Sequence, residues 1–138
     1  MKKTFAMVKP CAFSRGAAPA MLDDIRQAGF SVVRSAETTL TSEQAEWLYR
    51  EHSQRDHFRD LVDFTISGPV LLLELESESE ETPAAFRSLM GPTDIAKAGA
   101  DTLRGKYAED FRRNSIHGSD GPESAAQELE YFGSTLGE

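Results

Sequence analysis

Residues 70–76 read Val-Leu-Leu-Leu-Glu-Leu-Glu. A strand with one wet face alternates apolar and polar side chains. This one opens on an unbroken apolar run, which places it inside a sheet and buries it on both faces. Gly68-Pro69 supplies the turn ahead of it. Any fold for the chain has to be built around that central strand.

The flanking segments are periodic enough to assign. Lys3–Val8 reads as a strand with Phe5, Met7 and Val8 apolar, and Pro10 stops its ladder. Residues 15–28 read as a helix: Pro19 suits its first turn, Met21, Leu22, Ile25 and Ala28 recur at helical spacing, and Gly29 follows. Residues 30–40 form a second strand with Val32 and Val33 at its start. Thr41-Ser42-Glu43-Gln44 is a capping box opening a helix with Ala45, Leu48 and Tyr49. Phe58, Leu61, Val62 and Thr65 mark another short helix. Thr82-Pro83 caps a helix bearing Ala85, Phe86, Leu89 and Met90, closed by Gly91. Residues 92–105 make a loop too long for a simple connector. Residues 112–117 are a short last strand, Asp120-Gly121-Pro122-Glu123 caps a final helix with Ala125, Ala126, Leu129 and Phe132, and a polar tail starts at Gly133. The order predicts an α+β fold, a ferredoxin-like βαββαβ sandwich. It has an antiparallel four-stranded sheet and a helical hairpin inserted between its second and third strands. Helices are expected on one face, with a pocket formed by the loop, the hairpin and the last strand.

The 138 residues, 39% hydrophobic, fit a single domain over 1–138. The longest apolar run, residues 70–73, is strand-sized rather than a membrane span, and no secretory leader is evident, so a cytoplasmic protein is expected. A single cysteine, Cys11, excludes an intrachain disulfide and argues against a thiolate metal cluster. The net charge of −8 speaks against a general nucleic-acid binder. Glu74, Glu76, Glu78, Glu80 and Glu81 read as a solvated acidic cluster. Lys9, Arg87, Arg104, Arg112 and Arg113 stand out against it. Converging, they would form a cationic pocket suited to a small polyphosphate.

The run Asn114-Ser115-Ile116-His117-Gly118-Ser119-Asp120 sets one imidazole beside a glycine, a hydroxyl and a carboxylate. Imidazole is a nitrogen nucleophile available unprotonated near neutral pH. Gly118 permits a turn that other residues resist. The final helix starts just beyond it, and its N-terminal amides favour an anionic phosphoryl group. Glu128, on the face of Gly121 and Ser124, is spaced to reach back as an orienting carboxylate. His117 and Asp120 alone are too few for a metal site.

Taken together, Asn114-x-x-His117-Gly118-Ser119-Asp120 resembles the active-site signature of the nucleoside diphosphate kinases. Thr4-Phe5-x-Met7-Val8-Lys9-Pro10 looks like that family's opening strand, and Ser67-Gly68-Pro69-Val70 like the start of its third. Arg87-x-Leu89-Met90-Gly91-x-Thr93 and Thr102-Leu103-Arg104-Gly105 look like its phosphate-binding segments. The resemblance implies ping-pong transfer of a γ-phosphate through a phosphohistidine on His117. It gives Arg87, Arg104 and Thr93 to the phosphates, and Lys9 and Asn114 to the sugar and phosphate region. Tyr49 stands beside the histidine, and Ser119 and Glu128 support its ring. Mg²⁺ would arrive bound to the nucleotide. The implied partners are nucleoside di- and triphosphates and further copies of the chain, as a dimer, tetramer or hexamer, with no membrane and no specific nucleic acid.

The chain departs from the family at several positions. The base-stacking phenylalanine falls at His57, and the aliphatic residue of the opposite jaw at Phe111, so stacking is expected chiefly on Phe111. Ala98-Gly99-Ala100-Asp101 stands where an alanine–x–proline–glycine stretch supports subunit contacts, Cys11 replaces an aspartate, and the signature ends in Gly121 rather than serine. Two other readings remain at this point: a nucleotide-binding regulatory protein of the same fold without turnover, and a ferredoxin-like interaction module.

Overall fold

The computed structural model describes residues 1–92, 97–108 and 115–137. One antiparallel sheet carries β1 (Lys3–Val8), β2 (Ser31–Thr38), β3 (Val70–Glu76) and β4 (Ile116–Gly118) in the order β2-β3-β1-β4. This is the order of a split βαββαβ unit, and β3 is interior as its apolar run requires. Around the sheet lie α1 (Pro10–Ser14), α2 (Ala18–Gln27), α3 (Ser42–Leu48), α4 (Phe58–Thr65), α5 (Thr82–Met90), α6 (Leu103–Tyr107), α7 (Pro122–Tyr131) and α8 (Gly133–Leu136). A 3-10 turn, Arg50–His52, follows α3 and leads toward α4, forming the inserted hairpin. Its capping box is closed on both sides: the Gln44 amide donates to Thr41 Oγ1 at 3.1 Å, and the Thr41 amide to Gln44 Oε1 at 2.9 Å.

Helices cover both faces, not one. Ala6, Val8, Leu73 and Leu75 pack with Met21, Ile25, Phe86 and Met90 on one side. Phe5, Met7, Val70 and Leu72 pack with Leu48, Tyr49, Phe132 and Leu136 on the other. The reason lies in the two central strands: β1 and β3 are apolar at both parities, so neither face can be left to water. No helix among the described residues is long and apolar enough to cross a membrane.

Several local expectations are corrected. The helix predicted over 15–28 is found as α2, which begins only at Ala18; ahead of it Pro10 opens an unpredicted short helix, α1, and Gly16, at φ 79°, lies between the two. Of the loop predicted over 92–105, residues 93–96 lie outside the described ones and its end belongs to α6, whose N-cap Thr102 accepts from the Gly105 amide at 3.0 Å. The tail from Gly133 is helical and buries Leu136. The last strand is Ile116–Gly118 rather than 112–117, of which residues 112–114 lie outside the described ones. Glu74 is not solvated. It is 5% exposed and pairs with Arg34 Nε at 2.5 Å and Lys3 Nζ at 3.3 Å, because it faces both across neighbouring strands.

Candidate active site

β4 hangs on β1 with His117 opposite Met7. His117 therefore points to the Met7 face of the sheet, toward the hairpin and α7. There the Tyr49 ring meets it edge-on at 5.6 Å and 79°, and Phe5 lies at 6.1 Å. Its Nε2 is 3.2 Å from Glu128 Oε1 on α7. Ser119 Oγ donates to the same oxygen at 2.8 Å, and the Ser119 amide donates to the Phe5 carbonyl at 3.1 Å. An ionised carboxylate only accepts, so the ring proton belongs on Nε2 and the lone pair on Nδ1. Glu128 therefore touches both the His117 ring and the Ser119 hydroxyl.

Gly118 works differently from expectation. It is not among the positive-φ glycines. A Cβ there would come within 2.8 Å of Met90 and 3.1 Å of Phe86, so Gly118 lets β4 lie close on α5. The unusual backbone sits at Ser115, with φ 78°, the one positive-φ residue other than glycine among the described residues. The Ser115 carbonyl accepts from the Lys9 amide at 2.9 Å, tying the start of β4 to the end of β1.

His117 opens into a cleft of about 570 Å³ between the hairpin, α5, α6 and α7. Lys9, Arg50, Arg55, Arg87 and Arg104 line it against Glu51, Asp120 and Glu128, so a net positive hollow is cut into a chain of charge −8. Arg104 is 8% exposed and braced by its own backbone neighbourhood: Nη1 donates to the Gly91 carbonyl at 3.1 Å and Nη2 to the Ile116 carbonyl at 3.0 Å. Its Nε is buried without a partner among the described residues. Arg87 Nη1 donates to Asp120 Oδ1 at 2.8 Å. Lys9 is 5% exposed, and burial, then the nearby Arg104 charge, push its amine down to about 7. Burial raises the Tyr49 phenol well above its usual range, so it stays protonated, and its hydroxyl has no partner among the described residues.

The sequence reading placed His57 at the site, and it does line the cleft. It missed His52 and Arg55, which line it as well. The three fall within six residues between two helices, and that density of basic rings and guanidinium was the available signal. The His52 and His57 rings are 6.2 Å apart, and His52 Nδ1 is buried without a hydrogen-bond partner among the described residues. Burial, then Arg55 and His57, lower the His52 value. Thr93, Phe111 and Asn114, with Arg112 and Arg113, lie outside the described residues. Among the described residues no group of three or more His, Cys, Asp or Glu is placed to hold a metal ion.

A sheet edge that presents one oriented imidazole to a basic cleft defines a phosphoryl-transfer class of site. The family model for nucleoside diphosphate kinase matches residues 2–135. The chain is 43% identical over 136 residues to the nucleoside diphosphate kinase of Geotalea uraniireducens, covering 99% of this chain and 98% of that one. It is 41% identical over 132 residues to that of Maricaulis maris, covering 96% and 93%. Among solved structures it is similar to Aquifex aeolicus nucleoside diphosphate kinase, with TM-score 0.89, 35% identity and coverage of 95% and 94%. The halophilic Halobacterium salinarum nucleoside diphosphate kinase in complex with CDP gives TM-score 0.89, 33% identity and coverage of 95% and 86%. The chain belongs to the nucleoside diphosphate kinase family.

Proposed function

We propose that His117 is the group through which this chain moves phosphate. The chain is a nucleoside diphosphate kinase and transfers the γ-phosphate of a nucleoside triphosphate to a nucleoside diphosphate in two half-reactions. In the first, the Nδ1 lone pair attacks Pγ, an N–P bond forms, and the Pγ–O bond to the leaving diphosphate breaks. The ring gains positive charge as this happens. Glu128, bonded at Nε2, stabilises that charge and keeps Nδ1 unprotonated for attack. The second half-reaction runs the same step backward onto a different diphosphate.

The observation that carries this reading is the His117–Glu128–Ser119 chain of contacts at the mouth of a basic cleft. Arg87 and Arg104 supply forked donors to the phosphates, and Lys9 supplies a point charge. Thr93 and Asn114 complete the polar set. With the terminal phosphate at His117, the base falls toward His57 and Leu61, and Phe111 provides its stacking face. Phe111→Ala should raise the KM for every nucleotide. An unchanged KM would remove that part of the reading. Mg²⁺ fits as the nucleotide's own counter-ion, because Glu128 and Asp120 are each engaged with protein partners. When bound it neutralises charge on the phosphate oxygens. A single domain, a homo-oligomeric assembly and a cytoplasmic setting belong to the same reading. The binding of CDP by the Halobacterium relative supports a nucleotide as ligand.

The test is incubation with γ-labelled ATP. The protein should take up an acid-labile, alkali-stable label that GDP discharges, and His117→Ala should take up none. Equal labelling of the variant would refute the assignment.

A further inference from the structure

Arg87 meets Asp120, and not solvent alone, across the cleft. The guanidinium comes from the last turn of α5, and the carboxylate from the turn between β4 and α7, 2.8 Å away. Both line the cleft with His117. Their side chains are 45% and 66% exposed, so the pair contributes little to the fold. It uses a single guanidinium nitrogen, Nη1. A carboxylate here does more than neutralise Arg87: its charge also bears on Arg104 and His52, favouring their charged forms. Asp120 thus stands in the midst of the cations that the phosphates of a nucleotide would meet.

We infer that Asp120 is a built-in competitor for phosphate, a counter-anion to which Arg87 returns when a nucleotide leaves the cleft. The inference rests on the nucleotide reading above and adds a control on affinity and release. A reaction in two half-steps must empty the site between them. An arginine with no other anion to pair with would lose its only partner at that moment, and release would be slow. With Asp120 present, Arg87 exchanges one oxyanion for another. The phosphates bind less tightly in consequence, because the carboxylate competes for the same donors and repels them.

The opposite role is also physically sensible: a carboxylate could aim Arg87 at the phosphates and so strengthen binding. The two differ in sign, which makes the test sharp. ADP affinity is measured by calorimetry, and ADP dissociation by stopped flow, on the whole chain with Asp120→Asn, Arg87→Ala and the double variant. Asparagine keeps the size of the side chain and removes its charge. Asp120→Asn should tighten ADP binding roughly three- to tenfold and slow its dissociation by a similar factor. KM for the diphosphate should fall, and kcat should fall too if release limits it. In the Arg87→Ala background the same substitution should change ADP affinity by less than about twofold. Unchanged or weakened ADP binding by Asp120→Asn would overturn the inference, and so would a full effect surviving without Arg87. If the unsubstituted protein bound no ADP, the nucleotide reading itself would fail. Binding without an effect of Asp120 removes only the present inference.

Discussion

Lys9 has almost no water around it and, among the described residues, no carboxylate paired with it. Burial, then Arg104, hold its amine at about 7, against 10.5 for an ordinary lysine. Between those two values the unfolded chain carries a proton that the folded chain lacks, so this residue makes stability rise with pH across that window. Below about 7 the folded protein holds the ammonium too, and the full burial penalty applies. In the proposed role of Lys9, nucleotide phosphates supply the missing anion and draw the proton back. ADP binding above pH 7 should therefore take up a proton, and affinity should weaken by up to about tenfold per pH unit from there toward pH 9. Calorimetry in buffers of different ionisation enthalpy reads that uptake directly, and Lys9→Arg should abolish it. A wild-type affinity flat with pH would exclude Lys9 from the phosphate site. Glu128→Gln should slow phosphorylation of His117 by roughly 10–100-fold while the protein stays folded, as rapid quench with labelled ATP would show; an unaltered rate would mean the ring needs no carboxylate. At this scale the sequence was largely readable. His117, Ser119 and Glu128 sit within a dozen residues, and their contacts follow from one strand, one turn and one helix. For His52 and Arg55 the only signal was the local density of basic side chains, because they enter the cleft only after the hairpin folds over the sheet.

Gly118 shows how an element can be legible while its reason is not. The sequence suggests a glycine turn, yet the residue lies in β4, with Met90 and Phe86 against its bare Cα. Gly118→Ala should destabilise by about 1–3 kcal/mol through overpacking and push His117 away from Tyr49. Thermal unfolding and the rate of labelling should fall together. A stable variant with normal labelling would mean that β4 has room to shift. The well-read elements are those with two independent signals. β3 has an apolar run and a Gly-Pro turn, and α3 has both halves of a capping box. The missed ones, α1, α6 and α8, have five, five and four residues. Such short pieces cannot display a helical period. The last two form because Leu103 and Leu136 find places in the core that other elements prepare.

The whole molecule is a sheet clad on both sides, and Glu74 ties its edge to its end. Its carboxylate meets Arg34 and Lys3, and Arg34 also donates to the Gly133 carbonyl at 3.3 Å and the Gly137 carbonyl at 3.5 Å, fastening α8 to β2. Burial works against the charged carboxylate, but the hydrogen bonds from Arg34 and Lys3 outweigh it and hold Glu74 below the usual carboxylate range. A carboxyl lowered in the folded state stabilises at pH above its unfolded value and loses that contribution as pH falls through the folded one. Glu74→Gln should therefore cost roughly 1–3 kcal/mol near neutral pH, and the gap to wild type in thermal unfolding should close as the solution is acidified below about pH 4. A gap constant with pH would mean that packing, not charge, is responsible. The two-sided cladding was implied by β1 and β3, but which helix covers which face depends on crossings that a linear pattern does not record. The most direct single measurement is ³¹P NMR of the protein after one turnover with ATP in the absence of acceptor. One phosphoramidate resonance of an Nδ1-phosphorylated imidazole, lost in His117→Ala and discharged by added GDP, is the expected result. A phosphoester or acyl phosphate signal on Ser119 or Asp120, or no protein-bound phosphorus, would contradict it.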